Sequence, residues 1–458
     1  MSPTNFEELE RSPYVGLLKL AYPLIVAFSI QTGFNVVDTI FVGRIGPDAI
    51  AALSLAYPFQ MIMYAIGGGL GIGAQSLISR SIGARNLPDA KNAAMHSIMI
   101  ALLSGLLTGV IGIAAVGGVL RSFGAPESVN VLSLDYLYIV ISGSIFLYLM
   151  LGMDSILRGE GNTKLSMAFM TSSALLNIFL DPIFIFALDM GVAGAAIATV
   201  LARALVVVAM AYFILIRKGA YAQPDLGSVR VSRPIIREIV GIGIPASLSQ
   251  LSYSLSLFVM NTILATYGAD AIATFGIGFR IESMAFLPMF GMAGAFVSAV
   301  GFFRGSGQIS NLFSLKNFAY SSTIAFMSIC AVAFFIAPER IYGVFTDSPT
   351  VISMGRSYLL INIIVYPIVP FTAISAAGFQ GLGKGNPPMI ISLLRSWLIV
   401  IPLSLIFSFA FDLGITYIWW SMVIGNTVSA IAGGSWFLIE TRRLRNGLAK
   451  VIYNPQLT

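Results

Sequence analysis

Apolar stretches recur along this chain at a length that crosses a bilayer, about 20 residues. They fall near 14–42, 50–79, 92–118, 130–157, 165–188, 191–216, 237–265, 271–302, 317–337, 351–379, 389–410 and 415–439. Twelve transmembrane helices are therefore expected. The polar breaks between them are short, except for "RKGAYAQPDLGSVRVSRPIIRE", which divides the chain near its middle. The halves also repeat at a shift of 222 residues. "IGPDAIAALSLAYP" at 45–58 aligns without a gap on "YGADAIATFGIGFR" at 267–280. The same register pairs Pro23 with Pro245, Phe123 with Phe345, Tyr136 with Tyr358, Gly159 with Gly381 and Gly161 with Gly383. An even number of spans per repeat keeps both halves in the same orientation, so the expected repeat is parallel, about an axis along the membrane normal. The expected fold is all-α and integral to the membrane: two six-helix bundles around a central cleft. The lobes are expected at 1–217 and 237–458, the latter with a cytoplasmic tail, joined by a cytoplasmic linker at 218–236.

Composition agrees with the pattern. The 458 residues are 57% hydrophobic and 10% charged, against about 25% charged in soluble domains. The net charge of +6 is read as topology and not as a nucleic-acid surface. With the N-terminus inside, twenty of the 26 Lys and Arg residues fall on inside loops, tails or helix ends, among them Arg80, Arg85, Arg158 and Arg442. Arg44, Arg121, Arg340 and Arg356 fall outside, and Arg203 and Arg280 lie deep within spans. Basic residues gather on the cytoplasmic side, so both termini are expected there. The acidic start "MSPTNFEELE" lacks the basic region of a signal peptide. Single Cys330 and His96 residues leave no thiol or imidazole set for a resident metal or disulfide, and no cofactor is expected. There is no DDxxD, HExxH or GxSxG run, which speaks against an intramembrane enzyme.

The candidate chemistry is the set of polar residues inside spans. A carboxylate at mid-bilayer costs about 2.5–3.5 kcal/mol on insertion scales, so Asp38 calls for a partner. Gln31, Asn35 and Asp38 share one face of the first span at i, i+4, i+7 spacing. The fifth span carries Asn177 and Asp181, again i, i+4, followed by Pro182, which removes a helical hydrogen bond and is expected to bend the helix. Thr199 adds a hydroxyl in the sixth span. Two carboxyls with an amide, a hydroxyl and a freed carbonyl suit a proton or a hard monovalent cation. For Na⁺ the expected ligands are Asp38, Asn177, Asp181 and Thr199. At the repeat register Asp38 meets Met260, and Asp181 meets the 401–404 neighbourhood, which has no acid. The pair therefore belongs to one lobe, as ion coupling would allow and a scaffold role would not. Arg280 and Glu282, two residues apart, point to different faces and different partners, and Arg203 is a further cavity charge. Asp154 and Arg158 are spaced as a local i, i+4 pair.

With "YPLIVAFSIQTGFNVVDTIFVGRIGPDAIAALSLAYP", "SRSIGARNLPDAKNA", "ILRGEGNTK" and the six-plus-six repeat, nearly the whole chain resembles the multidrug and toxic compound extrusion (MATE) family, and most of all its prokaryotic DinF-like branch. That resemblance implies a multidrug antiporter in a prokaryotic plasma membrane. It would export organic cations or amphipathic drugs against inward H⁺ or Na⁺, with Gln31, Asp38, Asn177, Asp181 and Thr199 as its N-lobe site. Its partners would be such small molecules and the lipid bilayer, with no nucleic acid and no required oligomer. Another prokaryotic branch carries acids in helices seven and ten, and the tenth helix here has only Asn362. The rival within the wider superfamily is a lipid-linked oligosaccharide flippase, which would bring several cations into the cavity.

Overall fold

The computed structural model describes residues 4–122, 124–217, 219–224 and 231–453. Lys218 and residues 225–230 of the expected linker lie outside them, as does Phe123 of the repeat pairs. The described residues are helical almost throughout. A short amphipathic helix, α1 (Thr4–Arg11), precedes α2 (Pro13–Gly43), α3 (Pro47–Gly83), α4 (Leu87–Ser122), α5 (Glu127–Ser142), α6 (Ser144–Gly159), α7 (Thr163–Pro182) and α8 (Gly191–Ala211). The second half follows with α9 (Arg233–Ala265), α10 (Ala269–Gly305), α11 (Ile309–Ile336), α12 (Pro338–Gly343), α13 (Pro349–Asn362), α14 (Val369–Gly381), α15 (Asn386–Leu393), α16 (Ile401–Leu405) and α17 (Ile415–Tyr453). Among the described residues ten helices are long and apolar enough to cross a membrane, and two bent pairs bring the number to twelve.

Those pairs were expected as single straight spans. Instead α5 and α6 meet at 47°, and α13 and α14 at 52°. The breaks fall at Gly143 and after Val365, positions 222 apart, so each half bends its fourth span at the same place. A Cβ on Gly143 would lie 2.5 Å from the Val200 side chain of α8, so the absent side chain sets the approach of these helices. Wide turns in the fifth and sixth spans of the first half are π-helical, at Ile183–Ala187 and Tyr212–Ile216. Leu394–Val400 and Ile406–Ala410 repeat that device in the eleventh span.

The two halves are related by a pseudo-two-fold axis visible in paired backbone contacts. A Cβ on Gly69 would strike Ser247 N at 2.5 Å, and one on Gly291 would strike Ile25 N at 2.9 Å. One on Gly83 would strike Phe302 O at 2.1 Å, and one on Gly305 would strike Arg80 O at 2.0 Å. Each pair becomes the other under the 222-residue shift. All lie toward the face on which α2 and α9 begin, here called the terminal face. The buried residues of α2 cluster in its first half, and those of α10 toward its end. The lobes are thus sealed at the terminal face and part toward the opposite one. The helix α1 reinforces the seal: Phe6 and Leu9 are buried, and Phe6 stacks on Phe302 of the other lobe at 4.5 Å.

Candidate functional site

Helix α2 packs against α7, and α7 against α8, which brings three polar sequences to one point in the first lobe. Asp181 ends α7 fully buried, just where Pro182 closes the α-helical ladder and the π-turn begins. Its carboxyl lies close enough to that of Asp38 for the two side chains to interact directly. One turn back, Asn177 Nδ2 donates to Asp181 Oδ1 at 3.0 Å and reaches Thr199 Oγ1 on α8 at 3.5 Å. Thr199 itself donates to Ala195 O at 3.0 Å. Four of the expected residues therefore converge. Gln31 and Asn35 do not join them: Gln31 Nε2 faces Asn35 Oδ1 at 3.5 Å, and both precede Asp38 on α2, Gln31 half-buried and Asn35 exposed.

The convergence leaves acceptors without donors. Asp38 Oδ1, Asp181 Oδ2 and Asn177 Oδ1 are buried with no hydrogen-bond partner. Two carboxyls in contact can share one hydrogen bond only if one carries a proton, because two adjacent negative charges repel strongly away from water. The three free oxygens form the kind of set that accepts a proton or a small hard cation. Arg203 stands near the cluster without an ion pair. Its Nη2 donates to Tyr64 Oη at 2.9 Å, and its guanidinium lies 5.6 Å from that ring. Beside it, Gln60 Nε2 donates to Tyr136 Oη at 3.1 Å.

In the second lobe Arg280 is exposed and Glu282 half-buried, and neither forms an ion pair among the described residues. One reading needs correction. Arg395, counted with the basic residues at helix ends, lies within the eleventh span in the π-helical Leu394–Val400 stretch. Its guanidinium sits 5.0 Å from the ring of Tyr253, so aromatic contact and not a loop position accommodates its charge. Asp154 and Arg158 do form an ion pair, and Ser166 Oγ donates to the same buried carboxylate.

Several residues that hold the terminal face together carry no signal in the sequence pattern. Gln75, buried in α3, donates across the seam to Gly294 O at 3.0 Å and Ser298 Oγ at 2.8 Å. Arg80 pairs with Glu238 of α9. Glu160 Oε2 accepts from Tyr221 N at 2.7 Å and Ala222 N at 3.2 Å. His96 Nε2 accepts from Ser232 N at 2.9 Å, which leaves Nδ1–H to donate to Asn92 O. Both ends of the described linker are thus tied to the first lobe.

The geometry has counterparts. A family model described as MatE matches residues 23–183 and again 245–406, two segments whose starts are separated by the repeat offset. The multidrug export protein MepA of Staphylococcus saprophyticus is 26% identical over 426 residues, covering 92% of each chain. The probable multidrug resistance protein NorM of Thermotoga maritima is 27% identical over 413 residues, 89% of this chain and 88% of that one. Among solved structures, a MOP superfamily transporter from Pyrococcus furiosus superposes with TM-score 0.92 at 31% identity, over 96% of this chain and 98% of that one. A multidrug resistance MATE family transporter in an outward-facing conformation superposes with TM-score 0.90 at 31% identity, over 94% and 96%.

Proposed function

This chain belongs to the MatE family, and from that premise we propose that it is a multidrug exporter working as an H⁺- or Na⁺-coupled antiporter of the DinF-like kind. The observation that carries the reading is the contact between the Asp38 and Asp181 carboxyls, with Asn177 and Thr199 beside them and three oxygens left free. Such a pair changes its net charge by one when it exchanges a proton or cation. A ligand shifts a two-state equilibrium only by its differential affinity for the two states. Helix α2 supplies both Asp38 and part of the seam, through Leu24 and Ile25. Charging or neutralising the pair therefore biases the packing of the helix that separates the lobes. The parted face is the external one, both termini are cytoplasmic, and the lobes extend over 1–217 and 237–458. A membrane potential supplies about 2.3 kcal/mol per charge per 100 mV, enough for a gradient of some tens-fold in an amphipathic cation. No oligomer is needed, since cleft and carboxyl pair lie within one chain. A flippase for lipid-linked oligosaccharides would need free cations for a pyrophosphate. Arg203 and Arg395 are already engaged with Tyr64 and Tyr253, and Arg280 alone is a poor match for a pyrophosphate, which favours the drug exporter.

The deciding experiment is efflux of a fluorescent organic cation from proteoliposomes under separately imposed pH and Na⁺ gradients. One of the two gradients should drive export, and Asp38→Asn should abolish the driven part while the protein stays folded. Export indifferent to both gradients, or unaltered in Asp38→Asn, would refute the coupling assignment.

A further inference from the structure

The terminal face carries two crevices that the repeat makes equivalent, and α1 fills one of them. In the first lobe Leu9 lies against Gly16, where a Cβ would stand 2.5 Å from Leu9 Cα, and Phe6 lies 3.2 Å from a Cβ on Gly161. Phe6 also stacks on Phe302, and Glu8 pairs with Lys19 at 2.5 Å. Under the 222-residue shift Gly16, Lys19, Gly161 and Phe302 become Glu238, Gly241, Gly383 and Arg80. The turns match in conformation, with φ +79° at Gly161 and +82° at Gly383. Glu238, Gly241 and Gly383 line an open crevice of about 560 Å³ between the start of α9 and the turn after α14.

The chemistry of this crevice differs from that of its twin. One wall is two adjacent rows of α9 at i, i+4 spacing: Arg233, Arg237 and Gly241, and beside them Glu238 and Ile242. Gly383 forms the other wall, and a Cβ there would stand 2.8 Å from Arg80 Nη1. The same Nη1 pairs with Glu238 at 2.5 Å, so the one acid on the wall is already matched. Arg233 and Arg237 are exposed and form no ion pair with an acid among the described residues. The chain brings no acid from the position that α1 holds in the first lobe. Residues 4–10 include Glu7, Glu8 and Glu10, whereas the aligned residues 226–232 include Arg230 and no acid.

We infer that this crevice is a binding site for a phosphate group, borne by an anionic phospholipid or by a small soluble phosphate ester and held by Arg233 and Arg237. Planar guanidinium forks match phosphate oxygens in pairs, and two on successive turns of one helix can grip the same group. Basic pockets between membrane helices take phosphate headgroups for this reason. The crevice has room for the phosphate together with the glycerol or sugar that bears it. Arg80 belongs to the first lobe and the α9 wall to the second, so the occupant rests against both lobes, as α1 does.

The full chain in neutral detergent is titrated with two probes, phosphatidylglycerol and soluble glycerol 3-phosphate, and bound molecules are counted by native mass spectrometry, with phosphatidylcholine as the reference. One saturable anionic molecule per chain is expected, and the probe that binds identifies the source. Arg233→Gln with Arg237→Gln should weaken binding at least about tenfold. Arg85→Gln with Arg443→Gln removes the same charge from exposed positions on the same face and should leave binding within about twofold. Gly241→Phe keeps every charge and should block the site by filling it. A Cβ on Gly241 meets nothing within 4 Å, so the fold accommodates the ring, and thermal unfolding of each variant checks this. Equal losses in the two arginine pairs would reveal diffuse surface attraction and overturn the proposal. So would binding that survives Gly241→Phe, or no preference for either anionic probe over phosphatidylcholine. The assay uses no gradient and leaves Asp38 and Asp181 intact, so its outcome is independent of the coupling assignment.

Discussion

The lobes share one backbone plan and differ in where they keep their charge. In the first, Asp38 and Asp181 touch, with Asn177 and Thr199 at hand. In the second, the corresponding cluster is Met260, Ser404 and Ser421: Ser404 Oγ approaches Met260 Sδ at 3.7 Å and shares a hydrogen bond with Ser421. Thr199 and Ser421 are 222 residues apart, and the helices holding them pack alike. The same pocket is thus built once with two acids and once with a thioether and two hydroxyls. At the Gln60 and Glu282 positions the assignment is inverted, amide in the first lobe and acid in the second. Helix packing accepts either chemistry, so the proposed division of labour between lobes, and not a requirement of folding, would account for the acids.

The largest expected effect tests that division directly. Asp181→Asn, like Asp38→Asn, should reduce gradient-driven export at least about 100-fold, a loss of about 2.7 kcal/mol of coupling. Ser404→Ala, in the corresponding cluster of the second lobe, should leave the export rate within about threefold; initial rates in proteoliposomes compare the two. Next in size, Gln60→Glu gives the first lobe the acid of the second. The new carboxylate would sit against Tyr136, near both Asp38 and the Arg203 guanidinium, so the thermal midpoint should fall by the equivalent of about 1–3 kcal/mol if repulsion from Asp38 outweighs Arg203. An unchanged midpoint would mean that Arg203 balances the added acid.

A third prediction concerns pH. Burial raises the carboxyl of Glu160, in the loop after α6, from 4.5 to about 7, against the opposing effect of the Ala222 and Tyr221 amides that it accepts. The native state then holds a proton that the unfolded chain releases between those values. Stability should accordingly fall as pH rises from about 4.5 to 7, by on the order of 3 kcal/mol, and level off above. Glu160→Gln should remove that slope in a pH series of thermal unfolding, while the second lobe, which has Leu382 in the matching place, contributes none. The smallest effect is Met260→Leu, a near-isosteric change that should cost less than about 1.5 kcal/mol and leave coupling intact.

Much of this plan is legible in the sequence. Twelve apolar runs, the 222-residue register and the i, i+4 spacing of Asn177 and Asp181 suffice to draw the lobes and nominate the polar cluster. What escapes is set by contacts that leave no period in the chain. Gly143 breaks the fourth span with no proline to announce it, whereas Pro367 lies within the matching break and Pro370 opens the helix after it. Arg395 reads as a helix-end charge because its accommodation depends on Tyr253, distant in sequence. Gln31 and Asn35 share a helical face with Asp38, yet the face is longer than the site, and only Asp38 reaches Asp181.

The glycine seam at the terminal face carries one further consequence. At Gly69, Gly73, Gly83 and Gly305 one lobe's backbone rests directly on the other's: a Cβ on Gly73 would stand 2.2 Å from Ile239 O. A joint of this sort has no teeth. Interlocked side chains must leave their rotamers before two surfaces part, but bare peptide planes separate without any such rearrangement. The lobes can therefore lie close enough to exclude water and still come apart along a smooth path. Any parting of the lobes would then be resisted mainly by a few discrete ties, the Phe6–Phe302 stack, Arg80 to Glu238, and Gln75 to Gly294 and Ser298, in the manner of buttons on a flat hem.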